Sequence, residues 1–226
     1  MLGSAAAEQS PPSAGGGGSI VLAGGRDVCW GEPPNLDGLL GSSEIAGMFG
    51  VETELANDFL PVDSGLITLA RWWGGSWGGD GCGDHHLSST WNLRFYGDTG
   101  CLPGALLAEY VVGDFAGETL IYCQNGFYPI FVYEASVSVP VTAGVRLWFG
   151  AQAGDHGTIE PFMGRLAAAD VTGCDTAFRS AYYGYPNWVP AETVFGVPYD
   201  ASQEFECELA DPILSVSWGR LRTLFR

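Results

Sequence analysis

Residues 90–112 read TWNLRFYGDTGCLPGALLAEYVV, two apolar runs joined by a turn rich in Gly, Asp and Pro. In the first run Trp91, Leu93 and Phe95 alternate with Asn92, Arg94 and Tyr96. That period of two puts the first trio on one face of a strand, and the turn folds the second run back against it. The pattern recurs at intervals. GLITLARWWG (65–74) sets Leu66, Thr68, Ala70 and Trp72 against Ile67, Leu69, Arg71 and Trp73. Further strands are expected over 118–124, 128–139 and 145–153, and over 202–209, where Phe205, Cys207 and Leu209 alternate with Glu204, Glu206 and Glu208. No segment carries a sustained helical stripe, although Glu44 to Phe49 is expected to make one helical turn.

Strands with one apolar face must bury it, so two sheets are expected to pack face to face. The expected fold is all-β: an antiparallel β-sandwich of jelly-roll type, with mostly consecutive strands paired and Trp91 and Trp148 in its core. Two long connections interrupt it, residues 74–89 and 154–201, and cysteines are expected to pin them. The domain is expected over 26–210. A flexible tail or donor strand precedes it over 1–25, and a basic tail, SWGRLRTLFR at its end, follows over 211–226.

The six cysteines are Cys29, Cys82, Cys101, Cys123, Cys174 and Cys207, none at C-x-x-C spacing. In a Gly-rich β pattern this reads as disulfides in an oxidising compartment, hence an extracellular or cell-surface protein. Placing strands alternately up and down sets Cys101, Cys123 and Cys174 near one end and Cys82 and Cys207 near the other, with Cys29 unplaced; Cys101 with Cys123 and Cys29 with Cys207 are the favoured pairs. The chain has no Lys, nine Arg and 26 acidic residues, a net charge of −17. Such a field repels nucleic acid and anionic membrane, so neither is an expected partner. No apolar run is long enough to span a bilayer. Ser4–Ala7 before Glu8 looks like the cleavage end of a secretory signal, so the mature chain is expected to start near Glu8.

The motifs NDFLPVDSGLITLARWWGG and WNLRFYGDTGCLPGALLAEYVVG together resemble a jelly-roll-like β-sandwich module of secreted and surface-anchored bacterial proteins. The likeness rests on Asp58-Phe59, Trp72-Trp73-Gly74, Phe95-Tyr96-Gly97-Asp98 and Leu102-Pro103-Gly104 with Leu106-Leu107. It covers roughly residues 52–209. It implies a non-catalytic role in surface structure, adhesion or glycan contact.

Candidate site residues follow from residue type. Trp77, Tyr182, Tyr183, Tyr185 and Trp188 fall in the expected loops and are candidates for ligand contact, since flat aromatic rings pack on sugar C–H faces. Asp80, Asp84, His85 and His86 lie within seven residues and carry metal-ligand donors. No cofactor is expected apart from Ca²⁺, which clustered carboxylates can hold. Ile20, Val21 and Leu22 are candidates for strand donation to a neighbouring copy, hence self-association into a surface layer or filament. The leading expectation is a non-catalytic extracellular structural or adhesive sandwich. The alternatives are a carbohydrate-binding module and a secreted hydrolase, the last without a G-x-S-x-G nucleophile.

Overall fold

The structure, a computed structural model, describes residues 28–46, 50–77, 82, 90–113, 119–154 and 162–209. Fifteen strands occur among them. The early ones are β1 (Val28–Glu32), β2 (Leu40–Ser42), β3 (Ile45–Ala46), β4 (Val51–Glu52) and β5 (Glu54–Phe59). The middle ones are β6 (Gly65–Trp77), β7 (Thr90–Asp98), β8 (Pro103–Gly113), β9 (Thr119–Gln124) and β10 (Tyr128–Val141). The last are β11 (Leu147–Ala153), β12 (Phe162–Leu166), β13 (Ala177–Ser180), β14 (Tyr185–Pro190) and β15 (Gln203–Leu209), with a five-residue helix α1 (Ala191–Phe195) before β15.

One sheet runs β1-β15-β6-β10-β9, with β12 also beside β6 and β2 beyond it. The other runs β14-β13-β5-β11-β7-β8. The pairings nest. β7 pairs β8, β6 pairs β10, β5 pairs β11 and β1 pairs β15, all antiparallel, with successive pairs in alternate sheets. This is one long antiparallel ribbon wound around itself, a jelly-roll sandwich. Most neighbours in the sheets are therefore distant in sequence, not consecutive as expected.

The interior is aromatic. Phe59 and Phe205 lie 4.5 Å apart, Trp91 and Tyr133 4.7 Å, and Phe95 and Phe149 5.0 Å. Trp91, Leu93 and Phe95 are fully buried there, as their alternation predicts. Tilted ring pairs of this kind add about 0.5–1.5 kcal/mol each beyond area burial. Trp148 is also fully buried, but on the outer face of the second sheet, with Tyr96, Ala56, Cys174 and Ala177.

Several expectations are corrected. In β6 the core-facing residues are Ile67, Ala70 and Trp72, because Thr68 is an extra residue opposite β15: Glu206 pairs Leu69 and Cys207 pairs Ile67. A one-residue bulge exchanges the two faces of a strand, which strict alternation cannot foresee. Leu209 is exposed. Ile45–Ala46 pairs with Val51–Glu52 in place of a helical turn. The stretch expected as a loop over 154–201 carries β12, β13, β14 and α1, strands too short to give a periodic signal.

All six cysteines pair: Cys29–Cys207, Cys82–Cys123 and Cys101–Cys174. Cys29–Cys207 is the expected pair and Cys101–Cys123 does not form. Up-and-down placement fails at β9. That strand is antiparallel to β10, whose first residues lie beside the last of β6, with Ile130 opposite Gly75. Cys123 therefore sits where β6 ends, within reach of Cys82. No helix among the described residues is long and apolar enough to cross a membrane.

Candidate functional site

The outer face of the second sheet carries a polar cluster centred on Glu54, the first residue of β5, which is 1% exposed. Arg179 stands opposite Glu54 in the β13 register. Its Nε donates to Glu54 Oε2 at 3.0 Å and its Nη2 to the same oxygen at 2.5 Å. From β7, Tyr96 Oη donates to Glu54 Oε1 at 2.6 Å and Arg94 Nη1 to Oε2 at 3.1 Å. Between β5 and β7 runs β11, and there Gly150 makes the contact feasible: a Cβ on it would meet Glu54 Oε1 at 2.7 Å. The missing side chain leaves the Glu54 carboxylate a path over β11 to β7.

Arg94 is held further, by Gln152 Oε1 at 2.8 Å and Glu109 Oε1 at 2.7 Å. The Arg94 guanidinium is kept charged by Glu54 and Glu109, whose charge and hydrogen bonding outweigh burial, which alone would lower its pKa. Burial and the neighbouring Glu54 push the Tyr96 phenol well above its ordinary range, so it stays a proton donor.

Beside this cluster opens a groove of about 300 Å³ lined by Gly50, Glu52, Glu54, Arg179, Ser180 and Tyr182, with Pro186. Arg179 forms its wall. The guanidinium lies 4.6 Å from the centre of the Trp188 ring, and its side chain is 37% exposed. Its Nε and Nη2 are occupied by Glu54, while Nη1 meets no acceptor among the described residues. Ser180 Oγ donates to the Glu52 carbonyl at 2.6 Å, which joins β13 to β4 at the rim. The Glu52 side chain is exposed there. One fixed cationic donor, one exposed carboxylate acceptor and an aromatic rim thus share one concavity.

The aromatic candidates separate in this setting. Tyr182 is 57% exposed and lines the groove, and Tyr183 stands against it edge to face at 5.0 Å. Trp188 has one face covered by Arg179 and forms a T-shaped pair with Tyr96 at 5.6 Å, so it supports the wall. Tyr185 packs on Phe178. Trp77 ends β6, and its side chain lies outside the description. Asp80, Asp84, His85 and His86, like Ile20, Val21 and Leu22, lie outside the described residues.

Sequence reading missed Glu52, Glu54, Arg94 and Arg179. Arg94 was visible only as the polar side of an alternating strand. Nothing in the chain links positions 54, 94 and 179 before the sheet order is known.

Compared with known proteins, the chain matches no family model, no curated protein and no solved structure.

Proposed function

We propose that this is a non-catalytic extracellular adhesive β-sandwich that holds a neutral carbohydrate in the groove between β4, β13 and β14. The observation that carries the reading is Arg179. Its guanidinium is fixed on two sides by Glu54 and Trp188, and its partly exposed side chain lines the groove together with the exposed Tyr182. A fixed donor with an adjacent aromatic face and an exposed carboxylate suits a polyol: hydroxyls bond at the edge and C–H groups pack on the ring. Glu52 and Glu54 outnumber Arg179 in the lining, so an anionic ligand is disfavoured. Three disulfides support a location in an oxidising compartment, outside the cell or at its surface. The net charge of −17 argues against nucleic acid as the partner.

Binding to a glycan array, followed by calorimetry on the best neutral oligosaccharide, tests this. Arg179→Ala and Tyr182→Ala are expected to abolish binding while circular dichroism stays that of the wild type. Undiminished binding by both variants, or no glycan bound at all, defeats it.

A specific feature favours self-association as a second part of the role. β8 is an eleven-residue edge strand with Leu106, Leu107 and Val111 exposed and no proline after Pro103. The opposite edge strand β14 contains Pro186 and Pro190, which block strand addition. Ile20, Val21 and Leu22 of a second copy supply a β-prone partner for such an edge. Deleting residues 1–25 is then expected to convert assemblies to monomers in mass photometry, and an unchanged distribution removes this part.

A further inference from the structure

Three segments far apart in sequence bring buried acid groups together on the first-sheet side of β5. Glu32 ends β1 and is 5% exposed; Asp200 precedes β15 and is 1% exposed. Both lean on Thr172. Its backbone N–H donates to Asp200 Oδ2 at 2.5 Å, and its hydroxyl donates to Glu32 Oε1. Asn57 Nδ2 donates to Glu32 Oε2 at 2.5 Å.

The arrangement is incomplete. Asp200 Oδ1 is buried and has no hydrogen-bond partner. The Thr176 N–H, close enough to favour the Asp200 carboxylate slightly, is committed to the Tyr199 carbonyl at 3.0 Å. The charged groups that act on Asp200, Asp58, Asp175 and Glu32 among them, are of its own sign. Asp58 has a cation of its own, Arg146 at 3.3 Å. Arg165, the cation nearest in effect to Glu32, gives Nη1 and Nη2 to the carbonyls of Phe149 and Ser202 and to Gln203 Oε1, while its buried Nε has no hydrogen-bond partner among the described residues. Buried carboxylates are normally paired with a cation or bound to a metal.

We propose that Glu32 and Asp200, with the Thr172 hydroxyl between them, form a site for a hard divalent cation, Ca²⁺ by donor type. Asp200 Oδ1 supplies the free anionic oxygen, and Glu32 Oε1 and Thr172 Oγ1 supply two more. No three Asp, Glu, His or Cys side chains among the described residues converge to hold a metal. Ca²⁺ does not require three, because it fills a shell of six to eight oxygens with hydroxyls, backbone carbonyls and water. Bound there, the ion joins the first strand, the turn around Thr172 and the entry to the last strand. It would brace the same β1–β15 pair that the Cys29–Cys207 disulfide fastens.

The test uses the full chain with its disulfides intact, stripped with a chelator. Ca²⁺ is titrated while thermal unfolding is followed. Tb³⁺ is titrated while luminescence is excited through the nearby indole of Trp30. A saturable rise in Tm and a Tb³⁺ signal displaced by Ca²⁺ are expected. Both E32Q and D200N are expected to weaken the apparent affinity more than about tenfold. E32Q keeps the side-chain shape, so it reports even where D200N folds poorly. The idea is overturned by no saturable response up to ~10 mM Ca²⁺, above the range of weak extracellular sites. It is equally overturned by wild-type affinity in E32Q and D200N, or by a response that disappears in D80N/D84N while E32Q retains it.

Discussion

Glu54→Gln removes one charge from the centre of the outer cluster and changes its shape hardly at all. In the wild type the carboxylate accepts from Arg94, Tyr96 and both Nε and Nη2 of Arg179, on strands β7 and β13. Glutamine has one carbonyl oxygen for these donors, and its amide N–H groups face other N–H and O–H groups. Arg94, with a side chain 15% exposed, retains Glu109 and Gln152, whereas Arg179 loses its only carboxylate among the described residues. Removing one partner of a buried charge pair costs about 3–5 kcal/mol. The partial exposure of Arg179 and the remaining partners of Arg94 place Glu54→Gln near the low end, about 3 kcal/mol. For a chain of this length that corresponds to a Tm lower by about 6–12 °C. Urea unfolding at pH 7 with intact disulfides measures it. A cycle with Arg179→Ala is expected to show a coupling of about 1–2 kcal/mol. On the proposed reading glycan affinity is expected to fall as well, because Arg179 loses its carboxylate anchor. A Glu54→Gln variant within about 0.5 kcal/mol of wild type would refute the assignment of Glu54 as the electrostatic centre of this face.

Further outcomes follow from the same structure. Tyr182→Ala, at an exposed position, is expected to change stability by less than about 0.5 kcal/mol while losing ligand, separating binding from folding in one variant. Among the disulfides, Cys29–Cys207 closes the longest loop, with a separation of 178. Chain entropy puts the cost of C29S/C207S at about 5 kcal/mol and that of C82S/C123S, with a separation of 41, at about 4 kcal/mol; urea midpoints compare them, and the reverse order contradicts the entropic account. Burial raises the Asp58 carboxyl from 3.8 to about 6, against the opposing pull of Arg146. The folded state therefore holds a proton that the unfolded state releases: the stabilisation is complete below pH 3.8 and is lost as pH rises through about 6. Stability in chelator is expected to fall over that window by up to about 3 kcal/mol more in wild type than in Asp58→Asn, and equal slopes count against it.

Local alternation already determines that this chain is all-β and that Trp91, Leu93 and Phe95 face inward, because a strand's side-chain period is a property of the backbone. That the cysteines pair as disulfides likewise follows from their even count and spacing alone. Three other features were decided only in three dimensions. The extra residue at Thr68 exchanges the faces of β6, and it shows only when β15 lies alongside. Cys123 meets Cys82, not Cys101, because winding the ribbon sets the end of β9 beside the end of β6. Glu54, Arg94 and Arg179 meet because β5, β7 and β13 share one sheet and Gly150 leaves the gap through which the carboxylate reaches. Side-chain direction is written residue by residue along the chain, but which distant strands become neighbours is set by how two apolar faces close on each other, and the groove exists only after that closure.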